Sequence, residues 1–168
     1  MWIYITQRTL KPIIMKTFTF LPTLLVIFVL CLSNCSREGC TDPASDNFDA
    51  NAEVDNGTCI PMVEKFLGLY SVEEVCETGI YSYPMSAYAS FDDPFEIIIT
   101  NYGDLGIDVI GVVDFNFIYI PDQFFRLGQD NIAILSGEGE ILNGVLSIRY
   151  LYEQNGALPV QCRIDAVQ

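Results

Sequence analysis

The chain has 168 residues, 22 of them acidic against 8 basic, no histidine and a formal charge of −14, with 51% apolar content. That balance lacks the basic footprint of a DNA- or RNA-binding surface and repels anionic lipid headgroups. Without histidine the usual general base is missing, and with it the serine and cysteine triads it serves.

Taken in chain order, the first stretch carries Arg8 and Lys11 with no acid, and Met15 offers a second start. Lys16 then leads into an apolar run, Phe18 to Leu32, which closes on Leu32-Ser33-Asn34-Cys35. A charged opening followed by a short apolar run is the layout of a secretory signal. Fifteen residues interrupted by Pro22 fall short of the ~20 that a membrane-spanning helix needs. The Leu-Ser-Asn-Cys ending resembles the lipobox of bacterial lipoproteins. The resemblance implies that residues 1–34 are removed and that Cys35 carries the lipid. It further implies a protein tethered to the outer membrane, facing the periplasm or the cell surface.

Removing 1–34 takes three bases and no acids, leaving 5 basic against 22 acidic residues and a formal charge of −17. Besides Cys35, four cysteines remain: Cys40, Cys59, Cys76 and Cys162. An even number outside the cytoplasm suits disulfides, and three pairings are formally possible. Cys40–Cys59 with Cys76–Cys162 is favoured because each bridge then lies within one unit of the chain. The chain has no Cys-x-x-Cys, which, with the missing histidine, argues against a zinc site or a thioredoxin-type pair.

Residues 35–62 hold the lipid-bearing Cys35 and an acidic segment bracketed by two cysteines. It opens on Gly39-Cys40-Thr41-Asp42-Pro43, contains Asn47-Phe48-Asp49, and closes on Asp55-Asn56-Gly57-Thr58-Cys59. This pattern resembles a short module that recurs in secreted bacterial proteins. Few large apolar residues lie inside it, so a bridge worth about 3 kcal/mol by chain entropy would have to hold it. Asp49, Asn51, Glu53 and Asp55 alternate oxygen-bearing side chains and form a candidate Ca2+ set. Against calcium, Val54 sits where an EF-hand loop needs glycine, and no glutamate follows to close the site. The competing reading is a solvated, disulfide-stapled spacer.

Residues 63–168 read as β-structure. Short apolar runs alternate with period two and are broken by Gly, Asn, Asp and Pro. Strands are expected near Phe66–Cys76, Tyr81–Ser90, Phe95–Asn101, Ile107–Asp114, Phe117–Ile120, Ile132–Glu140, Val145–Glu153 and Pro159–Val167. Asn143-Gly144 and Asn155-Gly156 are hairpin signals, and no amphipathic helix is evident. In the late strands Leu146, Ile148, Tyr150 and Tyr152 share a face, as do Val160, Cys162, Ile164 and Ala166. On the first strand Cys76 shares a face with Tyr70 and Val72, and Glu74 intrudes on it. A Cys76–Cys162 bridge would join first strand to last, which is how a meander closes. The expected fold is an all-β, antiparallel up-and-down barrel of about eight strands.

Phe66-Leu67-Gly68-Leu69-Tyr70 resembles the Gly-x-Trp opening of lipocalin-like barrels, with Tyr70 in place of Trp. Together with Cys162 in the final strand, the run resembles small lipocalin-like lipoproteins of diderm bacteria. Barrels of this size fill their interior or hold one small ligand. Tyr81, Tyr83, Tyr88, Phe124 and Phe125 are candidate pocket walls, the competing reading being core and cross-strand packing. Phe124-Phe125, after Pro121, is the pair expected on a loop at the mouth for ligand or partner contact. No phosphate-binding, dinucleotide or nucleophile-elbow pattern appears, so catalysis is not expected. The expected role is a tethered binding module for a small apolar ligand. The alternative is a structural lipoprotein that docks another envelope component. The first implies an internal void and the second a filled interior with an exposed apolar patch.

Overall fold

A computed structural model describes residues 36–168. Cys35, the lipobox and the apolar run before them lie outside the described residues. Glu38–Gln168 form one compact unit.

Eleven strands follow in order: β1 (Glu38–Gly39), β2 (Val54–Asp55), β3 (Gly68–Cys76), β4 (Gly79–Ala89), β5 (Glu96–Tyr102), β6 (Ile107–Asp114), β7 (Phe117–Ile120), β8 (Gln123–Leu127), β9 (Asp130–Leu142), β10 (Val145–Gln154) and β11 (Val160–Val167). Each strand from β3 onward is antiparallel to its neighbours. β11 pairs back onto β3, and β10 bridges β9 and β11, so the sheet closes on itself. β7 and β8 both pair with β9 in one unbroken register, Ile120 opposite Gly137 and Gln123 opposite Ile134. They are two halves of one staple strand interrupted at Pro121-Asp122, and the result is a closed antiparallel barrel of eight staves. Closure removes the open edges that a meander would otherwise expose.

The loop expected at Phe124-Phe125 is therefore a strand, which is a correction to the sequence reading. Proline cannot donate to the ladder and breaks the strand at 121, but pairing resumes two residues later. The break faces a bulge in β9, where Ser136 has a φ of 44°. The Asp122 carboxylate accepts hydrogen bonds from the Ser136 backbone N–H at 2.9 Å and from its hydroxyl at 3.3 Å. Across the barrel seam, the Gln123 side chain substitutes for backbone, its amide donating to Ile110 O at 2.8 Å and its carbonyl accepting from Ile110 N at 2.9 Å.

The interior is filled. Phe66, Met85, Ile97, Ile99, Val109, Ile120, Ile134, Leu146, Ile148 and Ile164 are fully buried and belong to one cluster. Each such side chain contributes about 1.5–3 kcal/mol by leaving water. Room for them depends on β9. Its inward positions after the bulge include Gly137 and Gly139, and a Cβ at Gly137 would stand 2.6 Å from Ile120 Cβ. Glu138 and Glu140, the alternate residues, face solvent.

One end of the barrel is plugged. The segment before β3 makes a 3-10 turn, Glu64–Phe66, rather than the strand start expected at Phe66. Phe66 seats under the barrel, and Tyr70 donates a hydrogen bond to Phe66 O at 2.8 Å. Gln168 locks the same end by donating to Leu67 O at 3.0 Å and to the Tyr70 hydroxyl at 2.9 Å. The cysteine-bracketed segment packs beside this plug. Met62 N–H donates to Ala44 O at 2.9 Å, and Lys65 pairs with Asp46 at 2.6 Å.

Two disulfides are present. Cys40–Cys59 closes the acidic segment with a Cα separation of 4.9 Å. Cys76–Cys162 joins directly opposed residues of β3 and β11, with Cα atoms 4.1 Å apart.

Candidate functional site

The end opposite the plug is gathered by the tops of β3, β4, β10 and β11 and by the turn between β5 and β6. Along β3, inward positions are Tyr70, Val72 and Glu74, so period two alone carries a carboxylate into the barrel. Glu74 is only 2% exposed. Its carboxylate accepts a hydrogen bond from the Tyr150 hydroxyl, which reaches it from β10.

Two further tyrosines stand around this pair. Tyr83 follows from the same alternation on β4, where Tyr83, Met85 and Ala87 point inward. Tyr102 arrives by a different route. Ile97 and Ile99 alternate inward on β5, and the rhythm would put residue 101 inside next. Instead Asn101 adopts a φ of 55° and the pairing with β6 shifts by one residue. The bulge turns Tyr102 into the barrel, fully buried, with its ring edge-on to Tyr150 at 4.8 Å between centroids. Asn101 is held by its side chain, which donates to Pro84 O at 2.8 Å and accepts from Gly106 N at 3.1 Å.

The electrostatics follow from burial. Desolvation is the largest cause raising the Glu74 carboxyl above the usual carboxylate range. Hydrogen bonding to Tyr150 and Tyr83 works against it, and the Asp104 charge adds to it. Tyr83, Tyr102 and Tyr150 are all raised above ordinary phenols, first by burial and then by the charge of Glu74 and by one another. They stay protonated, and Tyr150 acts as a neutral donor. The Tyr83 hydroxyl lies near enough to Glu74 to alter its proton affinity, yet neither it nor the Tyr102 hydroxyl makes a hydrogen bond of normal geometry. Buried hydroxyls without well-formed hydrogen bonds are costly.

Glu74 and Tyr150 floor a cavity of about 270 Å3 that Thr78, Tyr81, Asp104, Leu105 and Tyr152 also line, with the Cys76–Cys162 bridge in its wall; Tyr83 and Tyr102 are not part of its lining. Gly103 borders it as well, and a Cβ there would come within 2.9 Å of the Tyr150 hydroxyl. No lysine or arginine lines it. Glu74, Cys76 and Cys162 also lie close enough to suggest a metal cluster, but both sulfurs are spent on the disulfide.

The residues singled out in sequence are distributed differently. Tyr81 lines the cavity and Tyr83 is buried in the core beside Glu74, whereas Tyr88 lies exposed on the outer face of β4. Phe124 and Phe125 are neighbours on β8 and so point to opposite sides. Phe124 is 76% exposed, and Phe125 packs against the core. Both border a shallow groove of about 400 Å3 with Arg126, Ile132 and Glu153, separate from the Glu74 cavity. In the acidic segment, the Asp49, Glu53 and Asp55 carboxylates do not converge on one point; among the described residues only the Glu74 group does. Asp49 accepts from the Asn51 backbone N–H at 2.9 Å and its side-chain amide at 3.2 Å, while Asp55 accepts from Gly57 N at 2.9 Å. The Asp49 and Asp55 carboxylates thus hold local turns.

No protein-family model and no curated protein matches this sequence. Among solved structures, the chain is similar to a Bacteroides fragilis protein provisionally described as an outer membrane protein, at 10% identity and a TM-score of 0.44, over 66% of this chain and 54% of that one. The chain thus spans about half the length of that neighbour.

Proposed function

We propose that this chain is a lipid-tethered, extracytoplasmic, non-catalytic binding module whose ligand sits at the open end of the barrel. The observation that carries the reading is the cavity at Glu74, where a buried carboxylate hydrogen-bonded to Tyr150 opens onto a space large enough for a small molecule. At about 270 Å3 it sits just under the ~300–1,000 Å3 of ordinary small-molecule sites, so the ligand is compact. The aliphatic interior is filled, which removes the deep apolar well that a long hydrophobic ligand would need. The tether is supported by Leu32-Ser33-Asn34-Cys35, and a compartment where thiols oxidise is supported by the two disulfides. The lack of histidine supports a role without acid–base chemistry.

Native mass spectrometry of protein purified from its own host tests the binding reading. A discrete mass increment that disappears when Tyr152 and Tyr81 are both replaced by alanine is expected. A single unliganded mass in both proteins overturns it. Intact mass of the membrane-extracted protein tests the tether, with an acylated Cys35 as first residue expected.

A second reading, docking onto another envelope component, is favoured by the filled interior together with an exposed apolar patch. Ile110, Val112, Phe115, Phe117 and Tyr119 are all exposed along the outer side of β6, β7 and their turn, and Val112 lies directly opposite Tyr119. Exposed apolar residues so grouped are the kind of patch that partners cover.

A further inference from the structure

Four features of the mouth cavity restrict what could occupy it. Its only charged lining residues are Glu74 and Asp104, both acidic. The five bases among the described residues are placed elsewhere: Lys65 pairs with Asp46 beside the plug, Arg163 pairs with Asp165, Arg149 and Arg126 border other grooves, and Arg37 is not among the lining residues. An anion would therefore meet two carboxylates with nothing to balance it. Three tyrosines, Tyr81, Tyr150 and Tyr152, make up most of the aromatic wall, and aromatic rings attract a cation held over their faces. Finally, Glu74 is buried with neutral tyrosine hydroxyls as its neighbours and no positive charge, where a carboxylate demands more compensation than neutral donors supply.

Resting on the reading of this cavity as the ligand site, we propose that its ligand is a small organic ammonium ion, with Glu74 as counter-charge and Tyr81, Tyr150 and Tyr152 as its aromatic enclosure. A metal dication is disfavoured because the Asp104 carboxylate does not converge with Glu74 and the neighbouring sulfurs are bonded to each other. An ammonium needs no inner coordination shell, only negative potential and polarisable walls.

In the unliganded protein, burial keeps the Glu74 carboxyl a weaker acid than usual. The arriving cation takes over the role of the proton, so binding releases a proton and strengthens as pH rises through the Glu74 titration. The groups that face Glu74 are Tyr83 on β4, Tyr102 at the end of β5, Asp104 in the following turn and Tyr150 on β10, while the β11 neighbour is the disulfide-bonded Cys162. The three tyrosines remain protonated throughout, which leaves Glu74 as the group whose titration sets the pH response.

The test is calorimetric titration of the mature protein with choline and with its uncharged isostere, in which carbon replaces the nitrogen. Choline is expected to bind at least about tenfold more tightly than the isostere, the charge being the only difference between them. Glu74→Gln should lose about tenfold of the choline affinity and leave the isostere unaffected. Asp104→Asn, in an exposed turn where folding is not at stake, should lose about threefold. Equal binding of the two probes, with tyrosine resonances of the cavity shifting in both titrations, overturns the cationic ligand and leaves the site standing. Choline binding that survives Glu74→Gln and Asp104→Asn overturns the counter-charge. Failure of both probes overturns the inference, and the mass increment from host-purified protein decides separately whether the site reading falls with it.

Discussion

The Tyr150 hydroxyl donates its hydrogen bond to Glu74 from a position 76 residues later in the chain, across strands β3 and β10 that do not touch in the sheet. The pair sits inside the barrel, and its proton affinity is set by burial. In the unfolded chain the Glu74 carboxyl releases its proton near the ordinary value of about 4.3. In the folded chain it holds the proton to higher pH, so between those two values the native state binds more protons and stability falls as pH rises. Glutamine has no such dependence. Thermal melts of wild type and Glu74→Gln between about pH 4 and pH 8 should show the difference moving steadily in favour of the variant. Parallel curves would refute a buried titrating carboxyl. Tyr150→Phe should cost about 1–3 kcal/mol at neutral pH by leaving the carboxyl without its donor.

The two disulfides close loops of different size, with sequence separations of 19 and 86. By chain entropy alone the longer loop is worth about 4–5 kcal/mol and the shorter about 3. Replacing Cys76 and Cys162 together by alanine should therefore lower denaturant stability more than the same change at Cys40 and Cys59. Urea midpoints of the two double variants give the comparison.

Gly139 and Gly111 both lie against neighbouring strands, but not against the same kind of atom. A Cβ at Gly139 would stand 2.3 Å from Ser147 O and 2.9 Å from Ile148 Cα, both backbone. At Gly111 the obstacle is the tip of Ile118, at 2.6 Å. Backbone in a closed sheet has nowhere to move, whereas an isoleucine tip can rotate. Gly139→Ala should cost about 3 kcal/mol or more and Gly111→Ala about 1 kcal/mol. Equilibrium unfolding of the two variants distinguishes them.

For the β8 pair, exposure predicts opposite outcomes. Phe124→Ala should change stability by less than about 0.5 kcal/mol, since Phe124 projects into solvent. Phe125→Ala should cost about 1–3 kcal/mol, because Phe125 packs on the core. Similar losses for both would mean that the strand register at Gln123 opposite Ile134 is wrong.

Most of the barrel is legible in the amino-acid order because period two and a closed sheet leave little freedom. Where alternation runs unbroken, as in Ile107–Asp114 and Phe117–Ile120, the strands fall on the residues expected. Asn143-Gly144 makes its two-residue hairpin with both φ values positive, at 52° and 79°. Asn155-Gly156 begins a longer connection instead, with Asn155 bonding back to Asn131 N at 2.8 Å and Asp130 at 2.7 Å. The errors lie where the rhythm changes. Pro121 reads as the start of a loop because sequence does not reveal that β9 supplies the same register on both sides of it. The site suffers from the same limit. Glu74 is visible as an acid on an apolar face, but Tyr102 is brought inward only by the bulge at Asn101. Period two counted through that residue turns Tyr102 to the wrong side. Nothing local reveals that residues from β3, β4, β5 and β10 converge.

The bond between Cys76 and Cys162 is at once the rivet of the barrel seam and part of the wall around the carboxylate. Under the proposed binding role, architecture and recognition meet at that spot: a reductant that unfastens the first stave from the last also opens the wall of the chamber, so affinity would depend on a compartment where thiols stay oxidised.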